Sequence, residues 1–144
     1  MNHIEATVTD IKKTDIITYI DVECGETTLR LIKSKAPIWL SEGDKVNCDF
    51  QEVSVCVSKE CPGRVSIENR LSATLKDVRK SESLCELTFD SSLGKVISLI
   101  TTDAYENLGL ELECKATILL RGIDIKISPV IESVFSETRT KYAN

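Results

Sequence analysis

Apolar residues recur at every second position through most of the chain, the period of a strand with one buried face. Ile4, Ala6 and Val8 alternate first, then Ile16, Thr18, Ile20 and Val22, then Thr27, Leu29 and Leu31. Val46, Cys48 and Phe50 follow, and Val53, Val55 and Val57 complete a set of five expected strands. Between the third and fourth runs lies Ala36-Pro37-Ile38-Trp39-Leu40. The same place in the second half of the chain holds Asp103 to Gly109, which reads as a short helical turn with an Asp cap and a terminal Gly.

The pattern then repeats. Asn2 to Lys13 lies over Asn69 to Lys80 with five of twelve positions identical (Asn, Ala, Thr, Asp, Lys) and four more conservative. After a one-residue gap, Thr28-Leu29-Arg30-Leu31-Ile32 lies over Val96-Ile97-Ser98-Leu99-Ile100, which sets Lys33 and Ser34 over Thr101 and Thr102. Further on, Val53 to Val57 lies over Ile123 to Ile127. The alternation is interrupted at Lys59-Glu60-Cys61-Pro62-Gly63. We therefore expect an all-β protein: two OB-like five-stranded Greek-key barrels in tandem, each with a short helix. The expected boundaries are 1–60 for the first repeat, 61–65 for a linker, 66–132 for the second repeat and 133–144 for a polar C-terminal tail. Each repeat is close to the size at which a lone barrel is marginal, so packing of the pair or oligomerisation is expected.

Composition narrows the function classes. The 144 residues carry 18 basic and 23 acidic side chains, a net charge of -5, and both halves are acidic. A nucleic-acid binder needs clustered Lys and Arg, and stacking on single strands needs aromatics, which are only 5% here. The N-terminus lacks a charged region followed by an apolar one, and the longest apolar runs fall far short of the roughly 20 residues of a membrane span. A cytoplasmic location is expected, with no membrane partner. Six cysteines include no C-x-x-C pair, and His3 is the single histidine, so no zinc site is expected. Cys48, Cys56 and Cys85 lie in alternating runs and read as small packing groups. No nucleophile–base constellation and no P-loop is present, which argues against an enzyme.

One stretch carries a family resemblance. Ser66-Ile67-Glu68-Asn69-Arg70-Leu71-Ser72-Ala73-Thr74-Leu75 is similar to the opening S-A-R-N-x-L-x-G-x-V of the Mop (molybdenum-pterin-binding) or TOBE domain. Leu99-Ile100-Thr101-Thr102, Leu108-Gly109-Leu110 and Leu119 to Ile125 continue the match, the last resembling the family's I-K-A-x-D-V. The tandem resembles a two-domain molbindin. That resemblance implies cytoplasmic binding of molybdate or tungstate for storage, buffering or homeostasis, no organic cofactor, and a homo-oligomer, commonly a trimer, whose neighbouring domains share strands.

Molybdate is a tetrahedral dianion that accepts hydrogen bonds and donates none, so its pocket must offer donors only. Carried over from the family, Ser66 supplies a hydroxyl beside the Ile67 backbone, and Thr101 and Thr102 supply hydroxyls. Arg121 stands in place of the usual Lys, and Gly122 and Ile123 supply amides next to it. Lys33 and Ser34 are the first-repeat counterparts. Glu68 stands where the family has Arg, Gln51 takes the place of Arg121, and Glu52 that of Gly122, so the two repeats are expected to form unequal sites. Competing structural roles exist: a turn at Ser66, caps at Thr101 and Thr102, and a solvated loop at Lys33-Ser34-Lys35. Arg121 could pair with Glu68 or Glu113, and Trp39 could plug a barrel end. The rival function is a TOBE-type accessory or regulatory assembly module with degenerate ligand sites.

Overall fold

The computed structural model describes residues 1–130, so the expected polar tail, 133–144, lies outside the described residues. Each half opens with a long strand, β1 (Asn2–Lys13) or β6 (Asn69–Lys80). The first half continues with β2 (Thr18–Cys24), β3 (Thr27–Lys33), β4 (Lys45–Phe50) and β5 (Cys56–Ser58). The second continues with β7 (Leu84–Ser91), β8 (Gly94–Thr101), helix α1 (Thr102–Leu108), β9 (Lys115–Leu120) and β10 (Lys126–Pro129). A 3-10 turn precedes each last strand, Glu52–Ser54 before β5 and Gly122–Asp124 before β10.

The strands make two antiparallel five-stranded sheets, ordered β10-β4-β1-β2-β3 and β5-β9-β6-β7-β8. The last strand of each half is thus paired in the sheet of the other. β5 leaves the first half to pair with β9, Cys56 facing Leu119, while β10 crosses back to β4, Lys126 facing Asp49. Sheet membership therefore does not follow the sequence repeat. Alternation along the strands buries Ile4, Ala6, Val8, Ile20, Val22, Leu29 and Leu31 in one half and Leu71, Ala73, Leu75, Leu87, Phe89 and Val96 in the other. All of them belong to one contiguous apolar cluster.

Several expectations need correction. Register relates the halves by a constant offset of 67 residues through the third strand: Val8 matches Leu75, Val22 matches Phe89 and Leu29 matches Val96. There is no gap before β3. Lys33 therefore matches Ile100, and Ser34 rather than Lys33 matches Thr101. On an edge strand a one-residue slip leaves an equally plausible apolar run on the opposite face, so sequence similarity alone settled on the wrong pairing. The insertion falls later, between β8 and β9, where the second half accommodates α1. Only that half has a helix; Ala36 to Leu40, with Pro37 inside it, is a turn. The cap of α1 is Thr101, whose Oγ accepts from Ala104 N at 3.1 Å, and not Asp103. Val53 is not in a strand; it sits on the first 3-10 turn with 62% exposure. Ile16 precedes β2 and is exposed. Cys48 and Cys85 are packing groups, whereas Cys56 is exposed. Burial drives the Cys48 thiol up to about 12, which keeps it protonated and inert.

Two buried asparagines tie the halves together. Asn2 accepts from Ile97 N and donates to Ile97 O, both at 2.8 Å. Its repeat counterpart Asn69 accepts from Arg30 N at 2.8 Å and donates to Arg30 O at 2.9 Å. Arg30 lies on β3 and Ile97 on β8, each the outer strand of its sheet, and a carboxamide presents the same donor–acceptor pair as a neighbouring strand. Each half thereby supplies one residue's worth of missing strand to the edge of the other. Replacing Asn69 with Ala leaves the Arg30 N–H and C=O without these partners. Two lost bonds of about 1 kcal/mol each, plus desolvation, predict a loss of roughly 2–4 kcal/mol, read as a lower urea midpoint with unchanged slope.

The turn before the fourth strand recurs in both halves, with Gly43 N donating to Val8 O and Glu113 N donating to Leu75 O, each at 2.7 Å. Gly43 has φ 91 and Glu113 φ 70. The second half holds a side-chain-bearing residue in the left-handed region, at a cost of about 1–2 kcal/mol. Its carboxylate pairs with Lys76 at 2.9 Å, but both side chains are exposed and the pair contributes little. Glu113→Gly should therefore raise stability by about 0.5–1 kcal/mol in the same denaturation experiment.

Candidate functional site

Exchange of the last strands lays each 3-10 turn against the outer strand of the opposite half. One seam forms between β3 and the Gly122–Asp124 turn, the other between β8 and the Glu52–Ser54 turn. The β3 seam is close-packed. A Cβ on Gly122 would lie 2.5 Å from Arg30 O and 3.2 Å from two Ile32 atoms, so only glycine allows this approach. The carbonyl that follows each turn is met by a side chain of the facing strand: Lys33 Nζ donates to Ile125 O, and Ser98 Oγ donates to Val55 O at 2.7 Å. Burial lowers the pKa of the Lys33 ammonium from its ordinary value, and the charge of Lys126 lowers it further.

The candidate ligand residues separate between these seams. Lys33 lies with Arg121, Gly122 and Ile123 at the β3 seam, and Ser34 follows directly on β3. Arg121 is exposed and its Nε donates to Asp124 Oδ2 at 2.9 Å, so its acidic partner is neither Glu68 nor Glu113. Ile123 is 64% exposed on the outer side of the turn. Ser66 and Ile67 belong to a loop that enters β6 at Asn69, the residue fastened to β3. Arg70 holds that loop by donating to Gly63 O at 2.7 Å, Val65 O at 2.9 Å and Ile67 O at 3.5 Å.

Thr101 and Thr102 end β8 and begin α1, on the strand that forms the other seam. Thr101 Oγ caps the helix, leaving its own proton to donate. Thr102 is buried and its hydroxyl donates to Ser81 O at 2.8 Å, so it has no proton to offer an anion. In this seam Glu52 takes the place of Gly122, and its carboxylate pairs with the Met1 amino group. That partner and the hydrogen bond between them lower the Glu52 pKa.

Sequence reading passed over Lys126. It lies one residue after the carbonyl that binds Lys33 and helps line a depression of about 260 Å3 between the two turns, with Asp49, Gln51, Ser54, Ile123 and Asp124. The available signal was its position directly after the Arg121–Ile125 motif. A second polar depression, about 380 Å3 on the outside of the β5–β8 sheet, gathers Lys59, Glu60, Asp90 and Lys115 with several hydroxyls; its formal charges cancel. Among the described residues no group of three or more His, Cys, Asp or Glu could hold a metal ion, and no helix is long and apolar enough to cross a membrane.

A family model described as the TOBE domain matches residues 65–121, the stretch that carries the motifs of the second repeat. No curated protein matches the chain. Among solved structures, the fold is similar to that of the cytoplasmic molybdate-binding protein ModG, in a form with molybdate bound. The TM-score is 0.82 at 22% identity, covering 89% of this chain and 95% of that one. Near-complete coverage of both chains means that the likeness spans the exchanged halves together rather than one barrel.

Because Arg70 is the group that gathers the Ser66 loop, Arg70→Ala should free it. Tryptic cleavage after Arg64 in the otherwise folded protein is then expected to accelerate several-fold, visible by mass spectrometry of timed digests.

Proposed function

We propose that this TOBE-domain protein of the Mop type binds a tetrahedral metal oxyanion, molybdate or tungstate, as cargo and performs no catalysis. The observation that supports this most directly is the gathering of donors around the Gly122–Asp124 turn, in a chain whose whole fold is similar to that of ModG. The proposed donors are the Lys33 and Arg121 cations, the Ser34 and Ser66 hydroxyls, and backbone N–H groups of Ile67, Gly122 and Ile123; Thr101 lies on the strand of the other seam. Thr102 drops out of the set because its hydroxyl is spent on Ser81. A donor-only environment suits an ion that accepts at four oxygens and carries no proton. Hydrogen bonds to a charged group are worth about 1.5–3 kcal/mol each, so four or five, about 6–15 kcal/mol in all, span the roughly 8 kcal/mol of micromolar affinity. The acidic overall charge is no obstacle, since the field that matters is local.

The same reading takes the protein as a cytoplasmic homo-oligomer, a trimer, that stores or buffers the ion. A second reading, an assembly module with degenerate sites, is favoured by two features of the β8 seam: the ion-paired Glu52 in place of glycine and the committed hydroxyl of Thr102. Ligand-linked stabilisation separates the two. At a hundred times its dissociation constant, a bound ion adds about 2.7 kcal/mol, a rise of several degrees in melting temperature. We expect that rise with molybdate and with tungstate but not with sulfate at equal concentration. A melting temperature indifferent to all three would leave the assembly reading standing.

A further inference from the structure

We propose that oxyanion binding in this chain is confined to the β3 seam, with Lys126 as an additional binding residue, and that the pseudo-equivalent β8 seam takes no anion. This inference rests on the oxyanion reading above and deepens it by saying where on the molecule the ion sits.

The two seams are built from matching positions, which makes a direct charge comparison possible. Lys33 of β3 corresponds to Ile100 of β8. Arg121, Gly122, Asp124 and Lys126 correspond to Gln51, Glu52, Ser54 and Cys56, because Phe50 and Leu120 pair equivalently with Asn2 and Asn69. The five positions total +2 in the β3 seam and -1 in the β8 seam. Lys33 Nζ sits on the carbonyl of Ile125, the residue before Lys126, and Arg121 is on the same turn, braced by Asp124 at 2.9 Å. The mutual repulsion of Lys33 and Lys126 is visible in the lowered pKa of Lys33, behind the larger effect of burial.

Two cations so placed are a cost to the fold that a dianion would remove. Two carboxylates offset part of that cost: Asp124, engaged by Arg121, acts on Lys33 in the opposite sense to Lys126, and Asp49, across the strand pair from Lys126, bonds His3 Nδ1 at 2.5 Å. In the β8 seam the balance is reversed. Glu52 places a carboxylate where the other turn has only a hydrogen, Ile100 and Cys56 carry no charge, and Ser98 rather than a cation meets the Val55 carbonyl. A dianion approaching that turn meets a like charge, while its positive partner, the Met1 amino group, is already paired.

The test is titration calorimetry of the full chain with sodium molybdate, comparing variants of the two seams. One unit charge about 6 Å from a dianion in a water-like dielectric is worth about tenfold in affinity. Lys126→Gln and Arg121→Gln should each weaken binding about tenfold, Lys126→Arg should restore it, and Cys56→Ser, at the matching position of the β8 seam, should leave it within twofold. Lys126 is exposed at a strand end, so its variants retain the fold, checked by an unchanged circular dichroism spectrum. Equal losses from Cys56→Ser and Lys126→Gln, or no loss from Lys126→Gln, would overturn the confinement to one seam while leaving the oxyanion reading intact. Absence of any molybdate binding by the unmodified chain would overturn both.

Discussion

The exchange of a terminal strand between two halves of one chain is the constraint from which the rest of the molecule follows. Because β5 completes the second sheet and β10 the first, neither repeat has its full set of strands without the other. At one edge of each sheet, β3 and β8 are met by the Asn69 and Asn2 carboxamides and by the 3-10 turns that precede the crossing strands. An edge strand left open invites pairing with another chain, and here each is partly covered by a polar group of the same molecule. A single apolar cluster running through both halves is the energetic counterpart of this interlocking.

The candidate ligand residues and the contacts that seal the fold lie at the same place. The turns that seal the edges are also the segments that carry the candidate ligand residues, so the donors of each seam come from both repeats. Lys33 arrives on β3 of the first half and Arg121 on the turn of the second. A site of this kind is assembled only when the exchange is complete, and an ion bound there would stabilise the exchanged arrangement over any alternative. Gly122 shows how tightly the two roles are coupled. The close approach to Arg30 O that fastens the turn to β3 buries Gly122 directly beside the exposed Arg121.

Pseudo-symmetry makes the differences between halves informative. The left-handed turn is kept with Gly43 in one half and with Glu113 in the other, while the carbonyl after the 3-10 turn is kept satisfied by Lys33 in one and Ser98 in the other. Structural requirements were thus met twice by different residues. The positive charge at Lys33, Arg121 and Lys126 has no counterpart in the β8 seam, where an uncharged Ser98 satisfies the equivalent carbonyl.

Much was legible in the sequence: period-two alternation fixed the all-β class and nearly every strand, because one buried face leaves a direct mark on residue order. The duplication was legible through Asn2 to Lys13 over Asn69 to Lys80, and the similarity of the second repeat to a TOBE domain through its ordered short motifs. Three things were decided only by the tertiary structure. Strand exchange leaves no local signature, since a strand reads the same whichever sheet accepts it. The register of β3 against β8 was set by the Asn–backbone pairs across the halves, and similarity of apolar runs could not distinguish a one-residue slip. The division of Ser66, Lys33, Arg121 and Thr101 between two seams follows from that exchange, because residues adjacent in a motif are carried to opposite sides of the molecule when the chain crosses over.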